Sequence, residues 1–271
     1  MILYKYVPYE AGMKILENNS IGFSQPEHFN DPFEVEAAYP SSDEVNPVNT
    51  LLNRIQTEAK KSIWKKNTGI LSLTRQPLNA LMWAHYGDEH KGIVIGIDSS
   101  IEQFTCEESN LVPIQYGSVI YTDLKPNYPF LSQPKEPMEV GGTFDFSKGQ
   151  LERLQRMFLY KPGCWSYEEE VRVVKCLKGV ELGKPIKSGS FNILEVNDRP
   201  LYLLDLPENA IREVYFGVRS EAMLPQNALE LVEKIHSTRP EVTVYGCGIG
   251  NESWSLNRFD LEKKACQVLK R

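Results

Sequence analysis

LNALMWAHYGDEHKGIVIGID, residues 78–98, sets a helix directly beside a strand, and the rest of the chain repeats that mixture. Residues 78–87 read as a helix stopped by Gly87, because helices commonly end on glycine. Residues 91–98 (KGIVIGID) are the clearest strand in the chain, a short apolar run rich in β-branched residues. Toward the N-terminus, ILYKYV (2–7) alternates weakly as a strand, and Pro8 suits the first turn of a helix reaching about Asn18. Met13, Ile15 and Leu16 form the apolar side of that helix. IGFS (21–24) and GILSLT (69–74) are further strands, with a helix expected between Asn46 and Lys66.

Toward the C-terminus, LVPIQYGSVIYTD (111–123) supplies one or two strands, and a helix is expected at about 146–160. EEVRVVKCL (169–177), PLYLLDL (200–206), EVYFGV (213–218) and EVTVYGCG (241–248) read as strands, with a helix near 225–237. GCGIGN (246–251) reads as a turn after the last strand. The elements lack regular βαβ alternation, so the expected class is α+β, a mixed, mainly antiparallel sheet with flanking helices. One domain over residues 1–271 is expected, with an irregular Pro- and Gly-rich insertion at about 125–143.

With 41% hydrophobic and 24% charged residues, the 271-residue chain can bury a real core. Its net charge of −6 argues against binding extended nucleic acid, which needs a basic face. No run approaches the ~18 apolar residues of a membrane span. MILYKYVPYE lacks the layout of a signal peptide, so a cytoplasmic protein is expected. The five scattered cysteines, with no CxxC pair, read as reduced thiols.

Four stretches carry residue types that chemistry could use. In WSYEEEVRVV (165–174), strand alternation puts Glu168, Glu170 and Arg172 on one face and Glu169, Val171 and Val173 on the other. This is either a solvated face with Glu–Arg pairs or a cleft strand. In the second case the carboxylates position a hydroxyl or nucleophile, and the guanidinium grips a phosphate or fixes one carboxylate. In MWAHYGDEHKG (82–92), Gly87 separates His85 from His90, so they are no helical metal pair and no metal is expected. Trp83, Tyr86 and His90 stand as ligand-contact candidates beside ordinary structural roles. Ser72 and Thr74 point to one face, and either bond neighbouring strands or orient a carboxylate or a ribose. FNDPFE (29–34) places Asn-Asp-Pro turn chemistry between two phenylalanines and ends on Glu34. Dinucleotide, P-loop and nucleophile-elbow motifs are absent.

The succession LYKY, helix, IGFSQPEHFNDPFE, SLT, MWAHYGDEHKGIVIGID and WSYEEEVR resembles the domain of unknown function 2971 family over about residues 3–175, with an echo at YFGV (215–218). That resemblance implies a cytoplasmic bacterial or phage-linked protein and no defined activity. More distantly, the chain resembles ADP-ribosyltransferases, which order a first-strand Arg or His, a Ser-x-Ser/Thr strand and a Glu-x-Glu motif. The likeness implies NAD as substrate, Glu170 as the carboxylate on the nicotinamide ribose, and Glu168 orienting the acceptor. Ser72 and Thr74 would support Glu170, and Tyr4 or Tyr6 would lie near the nicotinamide or ribose. The first strand departs from that pattern, with Lys5 between Tyr4 and Tyr6, so phosphate binding falls to Arg75 or Arg172. FNDPFE would then pin a loop over the cleft, with Phe29 and Phe33 inward, Asn30 and Asp31 holding the bend, and Glu34 facing the pocket or a basic partner.

The leading expectation is thus an NAD-dependent, ADP-ribosyltransferase-like enzyme of a phage-defence or toxin-type system. A non-enzymatic nucleotide-sensing or protein-interaction module is the alternative, and a metal-independent nuclease using His85 or His90 with Glu170 and Arg172 is the third. The enzyme requires Glu170 and Ser72 in one pocket. The module places WSYEEEVR on an exposed edge, and the nuclease needs a basic groove.

Overall fold

The computed structural model describes residues 1–36, 62–125, 157–177 and 191–270, with residues 55, 58 and 59. The apolar runs near the N-terminus form β1 (Ile2–Val7), β2 (Ser20–Ser24), β3 (Thr68–Thr74) and β4 (Ile93–Asp98). Then come β5 (Ile120–Thr122), β6 (Tyr160–Pro162), β7 (Glu170–Cys176), β8 (Asn192–Val196) and β9 (Arg199–Asp205). The last strands are β10 (Ile211–Phe216), β11 (Thr243–Ile249) and β12 (Leu256–Asp260). The longer flanking helices are α1 (Tyr9–Asn18), α2 (Ala80–Tyr86), α3 (Pro225–Thr238) and α4 (Leu261–Leu269), with a single further turn of helix at Glu102–Thr105. No described helix is long and apolar enough to cross a membrane.

Ten strands form one sheet in the order β12-β11-β10-β4-β1-β3-β2-β9-β8, with β7 joined to β3 off that path. Among its described pairings β10 with β11 is parallel and the others are antiparallel, so the class is α+β with a mixed, mainly antiparallel sheet. A separate pair, β5 with β6, is parallel. Alternation along each strand sorts the core. Leu3, Leu73, Ile95, Val171 and Val214 face one side, under α1 and α3. Tyr6, Trp83, Val94 and Tyr215 pack on the other side.

β3 is the strand on which the site depends. β7 pairs with it from Thr68↔Cys176 to Thr74↔Glu170. Its other edge is shared, because β1 meets it at Tyr4↔Thr74 and β2 meets it at Ser24↔Ile70. Between those contacts β1 and β2 diverge and the sheet opens at Ser72. A buried strand carbonyl needs a partner. Lys5 Nζ supplies it, donating to the Ser72 carbonyl at 3.0 Å. The far edge of β7 is covered by the segment 111–119, through bridges at Val112↔Val174 and Ser118↔Val171. Gly117 accepts from the Arg172 amide at 2.8 Å, and a Cβ there would stand 1.9 Å from the Arg172 carbonyl oxygen.

After α2 the chain makes a left-handed turn of three non-glycine residues, with φ of 48° at Asp88, 51° at Glu89 and 70° at His90. Gly87 does end the helix, but at φ −99° the left-handed geometry falls on its successors. The turn docks on the end of β10: Arg219 N donates to the His90 carbonyl at 3.0 Å, and Gly217 N to the Gly92 carbonyl at 3.1 Å. GDEHKG and YFGV, far apart in sequence, are therefore one contact.

Several expectations change. From 111–123 the one named strand is Ile120–Thr122, and Tyr160–Pro162 is strand where the end of a helix was expected. GCGIGN is partly strand, and β12 and α4 follow it, so the C-terminal end holds a further strand and helix. β8 was not foreseen either. The insertion at 126–142, most of the helix expected at 146–160, and most of that expected at 46–66 lie outside the described residues. Residues 62–67 of the last are helical.

A Cβ at position 217 would lie 2.1 Å from the His90 carbonyl oxygen. Gly217→Ala is expected to displace the 88–91 turn and lower Tm by about 4–8 °C, the equivalent of about 2 kcal/mol. An unchanged melting curve would show that the turn yields freely.

Candidate functional site

Strand register brings the sequence-predicted residues together. Tyr4, Thr74 and Glu170 form one row across β1, β3 and β7, with Ser72 and Arg172 paired in the next. Cross-strand partners share a face. Where β1 and β2 part, a cavity of about 620 Å³ opens beside these rows. One end is lined by Tyr4, Tyr6, Thr74, Tyr86, Glu168 and Glu170. Lys5 and Ser72 line the middle, and Ser24, Asn30 and the β8–β9 hairpin line the other end.

A buried ionic network forms part of the cavity wall: Glu34, Lys161, Glu168 and Glu170 line the cavity, and Arg172 stands behind them. Arg172, 1% exposed, donates from Nε to Glu170 Oε1 at 2.8 Å and from its terminal nitrogens to both Glu34 oxygens at 2.8 and 2.6 Å. It also donates to Glu170 Oε2 at 3.0 Å and to the Phe158 carbonyl at 2.7 Å. Lys161 Nζ lies 2.6 Å from Glu168, 3.3 Å from Glu170 and 3.7 Å from Glu34. Three carboxylates thus converge on one ammonium, and Tyr86 donates to the outer oxygen of Glu168 at 2.7 Å.

Burial would raise the Glu170 pKa, but Arg172, Lys161 and hydrogen bonds from Arg172 and Ser72 together hold it down at about 2. The Lys161 ammonium is opposed by burial, yet its carboxylate neighbours raise its pKa. Lys5 goes the other way, its pKa lowered by burial against the pull of Glu170 and Glu168. Burial raises the Tyr4 phenol to about 12 and pushes Tyr6 and Tyr86 up as well. At neutral pH the cleft therefore presents a fixed carboxylate among protonated phenols.

Glu168 reaches this place by a route the sequence reading missed. Residues Gly163–Glu168 are a 3-10 turn, and Glu169 is left-handed at φ 43°. Glu168 and Glu170 meet because that reversal folds both onto Lys161, rather than through strand alternation. Glu34 is held in reach by the turn after Asp31, whose Oδ1 accepts from the Phe33 amide at 2.9 Å. Phe29 packs inward, whereas Phe33 is 52% exposed with Lys125 over its ring.

The remaining expected residues lie elsewhere. Arg172 is buried and saturated by carboxylates, so its charge is unavailable to a phosphate. Arg75 bonds the Glu169 carbonyl and Ser118 Oγ, outside the cavity lining. Trp83 is fully buried, donating to the Pro77 carbonyl at 2.9 Å, and the His90 ring lies parallel to it rather than in the cleft. Asp31 is buried in its turn, and His85 is exposed. Asn30 does line the cavity. Among the described residues no His, Cys, Asp and Glu cluster is placed to hold a metal ion.

The two cations that matter most to the cleft, Lys5 and Lys161, were not among the expected site residues. Lys5 carried a signal, since it occupies the first-strand position at which the chain departs from the transferase pattern. Lys161 carried none: a lone lysine in YKPG has no periodicity or spacing that marks it.

The Glu170 carboxyl lies below its ordinary 4.5, so its contribution to stability is complete above about pH 4.5 and disappears as the pH falls toward 2. Removing one member of such a network strands the others, so Arg172→Met is expected to cost about 3–5 kcal/mol at pH 7. It should also flatten the acid limb of stability, measured by denaturant unfolding across pH 2 to 7. Equal stability of the two proteins would contradict the network's role.

No curated protein and no solved structure matches the chain. Over residues 82–173, the segment that supplies Tyr86, Lys161, Glu168, Glu170 and Arg172, the chain matches the family described as protein of unknown function (DUF2971).

Proposed function

We propose that the cleft at the sheet divide is the site of an NAD-consuming, ADP-ribosyltransferase-like enzyme. The observation that carries this reading is the convergence of Glu170 and Ser72 on one cavity, beside Tyr4, Tyr6 and Lys5. A cavity of about 620 Å³ is in the range of small-molecule sites. The buried charges also need a reason. A similar volume of apolar side chains would stabilise the fold as well or better. Retaining the charges is understandable if a carboxylate must stay ionised at the cleft wall.

In the proposed reaction, the bond between the ribose carbon and the nicotinamide nitrogen breaks, and its electron pair leaves on nicotinamide. The positive charge that develops on the ribose is stabilised by the ionised Glu170, preorganised by Arg172. An acceptor lone pair then forms the new bond at the same carbon, and its proton passes to solvent. Glu168, held by Tyr86 and Lys161, orients that acceptor. Lys5 takes over the place of the first-strand cation. The setting that goes with this reading, a bacterial cytoplasm and a phage-defence or toxin-type system, rests on the family likeness alone.

One observation favours the non-enzymatic alternative. Glu170 is already bonded by Arg172 and Lys161, which suits a rigid ligand-sensing wall. The nuclease reading loses support, because His85 and His90 do not join Glu170 in the cavity lining and the cleft wall is rich in carboxylates.

Incubation with NAD should release nicotinamide, and Glu170→Gln should reduce the rate by about 10²–10³-fold. NAD binding without release, in the presence of cell lysate as acceptor source, would instead support the sensing module. Neither binding nor release would remove both.

A further inference from the structure

The cavity extends past the Lys5–Ser72 bridge to an end that the carboxylate chemistry does not use. Two loops form its lips. One is the 3-10 turn Pro26–His28 with the following Phe29 and Asn30. The other is the β8–β9 hairpin, a two-residue turn with Asn197 at φ 52° and Asp198 at φ 59°, closed by the pair Val196↔Arg199. Such left-handed two-residue turns suit the twist of a hairpin and hold its ends in register. Arg199 is thereby fixed at the rim, and its guanidinium bonds the His28 carbonyl at 3.3 Å, tying lip to lip.

The chemistry of this end differs from that of the other. The Tyr4–Thr74–Glu170 row marks one end of the lining, and Lys5 reaches the Ser72 carbonyl in the neighbouring row. Arg199 lies two residues before Leu201, the β9 partner of Ser24, on the side of β2. Of the five N–H donors of a guanidinium, Arg199 has one such bond shown among the described residues. Val196, Pro200 and Leu201 on one lip and Phe29 on the other provide apolar walls for a flat ring. Asn30 and Asn197, both exposed at the rim, carry amides that both donate and accept. A ligand that complements this order has a sugar or cationic group at the carboxylates, an anionic group between Lys5 and Arg199, and an aromatic heterocycle between the lips.

We propose that the outer half of the cleft is a nucleoside diphosphate subsite, in which Arg199 and Lys5 bind the diphosphate and the base lies between Phe29 and Leu201. This rests on the reading of the cleft as a nucleotide site and fixes which way the ligand runs through it. Arg199 is exposed, so its replacement tests the subsite without disturbing the core.

The experiment is calorimetric titration of the full chain with ADP and with adenosine, for wild type and Arg199→Gln, alongside nicotinamide release from NAD. Loss of a charge-assisted phosphate contact is expected to weaken ADP about tenfold or more and to leave adenosine unchanged. ADP affinity equal in the two proteins, or no ADP binding at millimolar concentration, would overturn the subsite. Arg199-dependent ADP binding without nicotinamide release would uphold the subsite while removing the transferase. Nicotinamide release with Arg199-independent ADP binding would do the reverse.

Discussion

Arg172 is the point on which the site depends. A guanidinium cannot be neutralised by giving up its proton at any physiological pH, so burying it commits the surrounding structure to supplying acceptors. The chain meets that demand from three directions. Glu170 comes from the same strand, Glu34 from a turn 138 residues earlier, and the Phe158 carbonyl from the approach to β6. Once those groups are fixed, Glu168 and Lys161 complete the network, and the carboxylate of Glu170 is held ionised at the wall of a cavity. The network does not need to add stability to be retained; its consequence is geometry.

The second constraint is the division of β3 between two partners. A strand whose edge is bonded at both ends and open in the middle creates a cavity within the sheet itself. The part-buried carbonyl of Ser72 requires a donor there, and Lys5 meets that need while placing its amino group inside the cleft. One side chain therefore both satisfies the backbone and contributes to the electrostatics of the cavity. The left-handed turn at 88–90 fixes the end of α2 against β10, and with it the position of Tyr86 over Glu168.

Much of this was legible in the sequence, for identifiable reasons. β1, β3, β4 and β7 are short apolar runs bounded by turn residues, and burial on both faces of the sheet makes such runs conspicuous. Ser72 with Thr74, and Glu170 with Arg172, followed from two-residue alternation alone. What escaped has more than one cause. β8 (NILEV) is exposed along its whole length and β12 buries little, so no alternation announced them. α4 is amphipathic, with Leu261 and Ala265 buried on one face, and that signal was passed over. Glu168 was assigned to the right place for the wrong reason, because the left-handed Glu169 reverses the chain where alternation was assumed. Arg75 and Trp83 looked like ligand residues by type, but type does not show that one is engaged outside the cavity and the other is core. Lys161 and Arg199 are brought to the cleft by tertiary structure, which a lone residue in a sequence does not reveal.

The most direct measurement is a crystal structure of the protein with a non-hydrolysable NAD analogue. The account predicts the ligand in the cleft between β1 and β2, with a ribose hydroxyl hydrogen-bonded to Glu170 and the Arg172–Glu34 pair undisturbed behind it. A ligand bound elsewhere, or a cleft that stays closed to it while Glu170 remains turned into its ion pairs, would contradict the account.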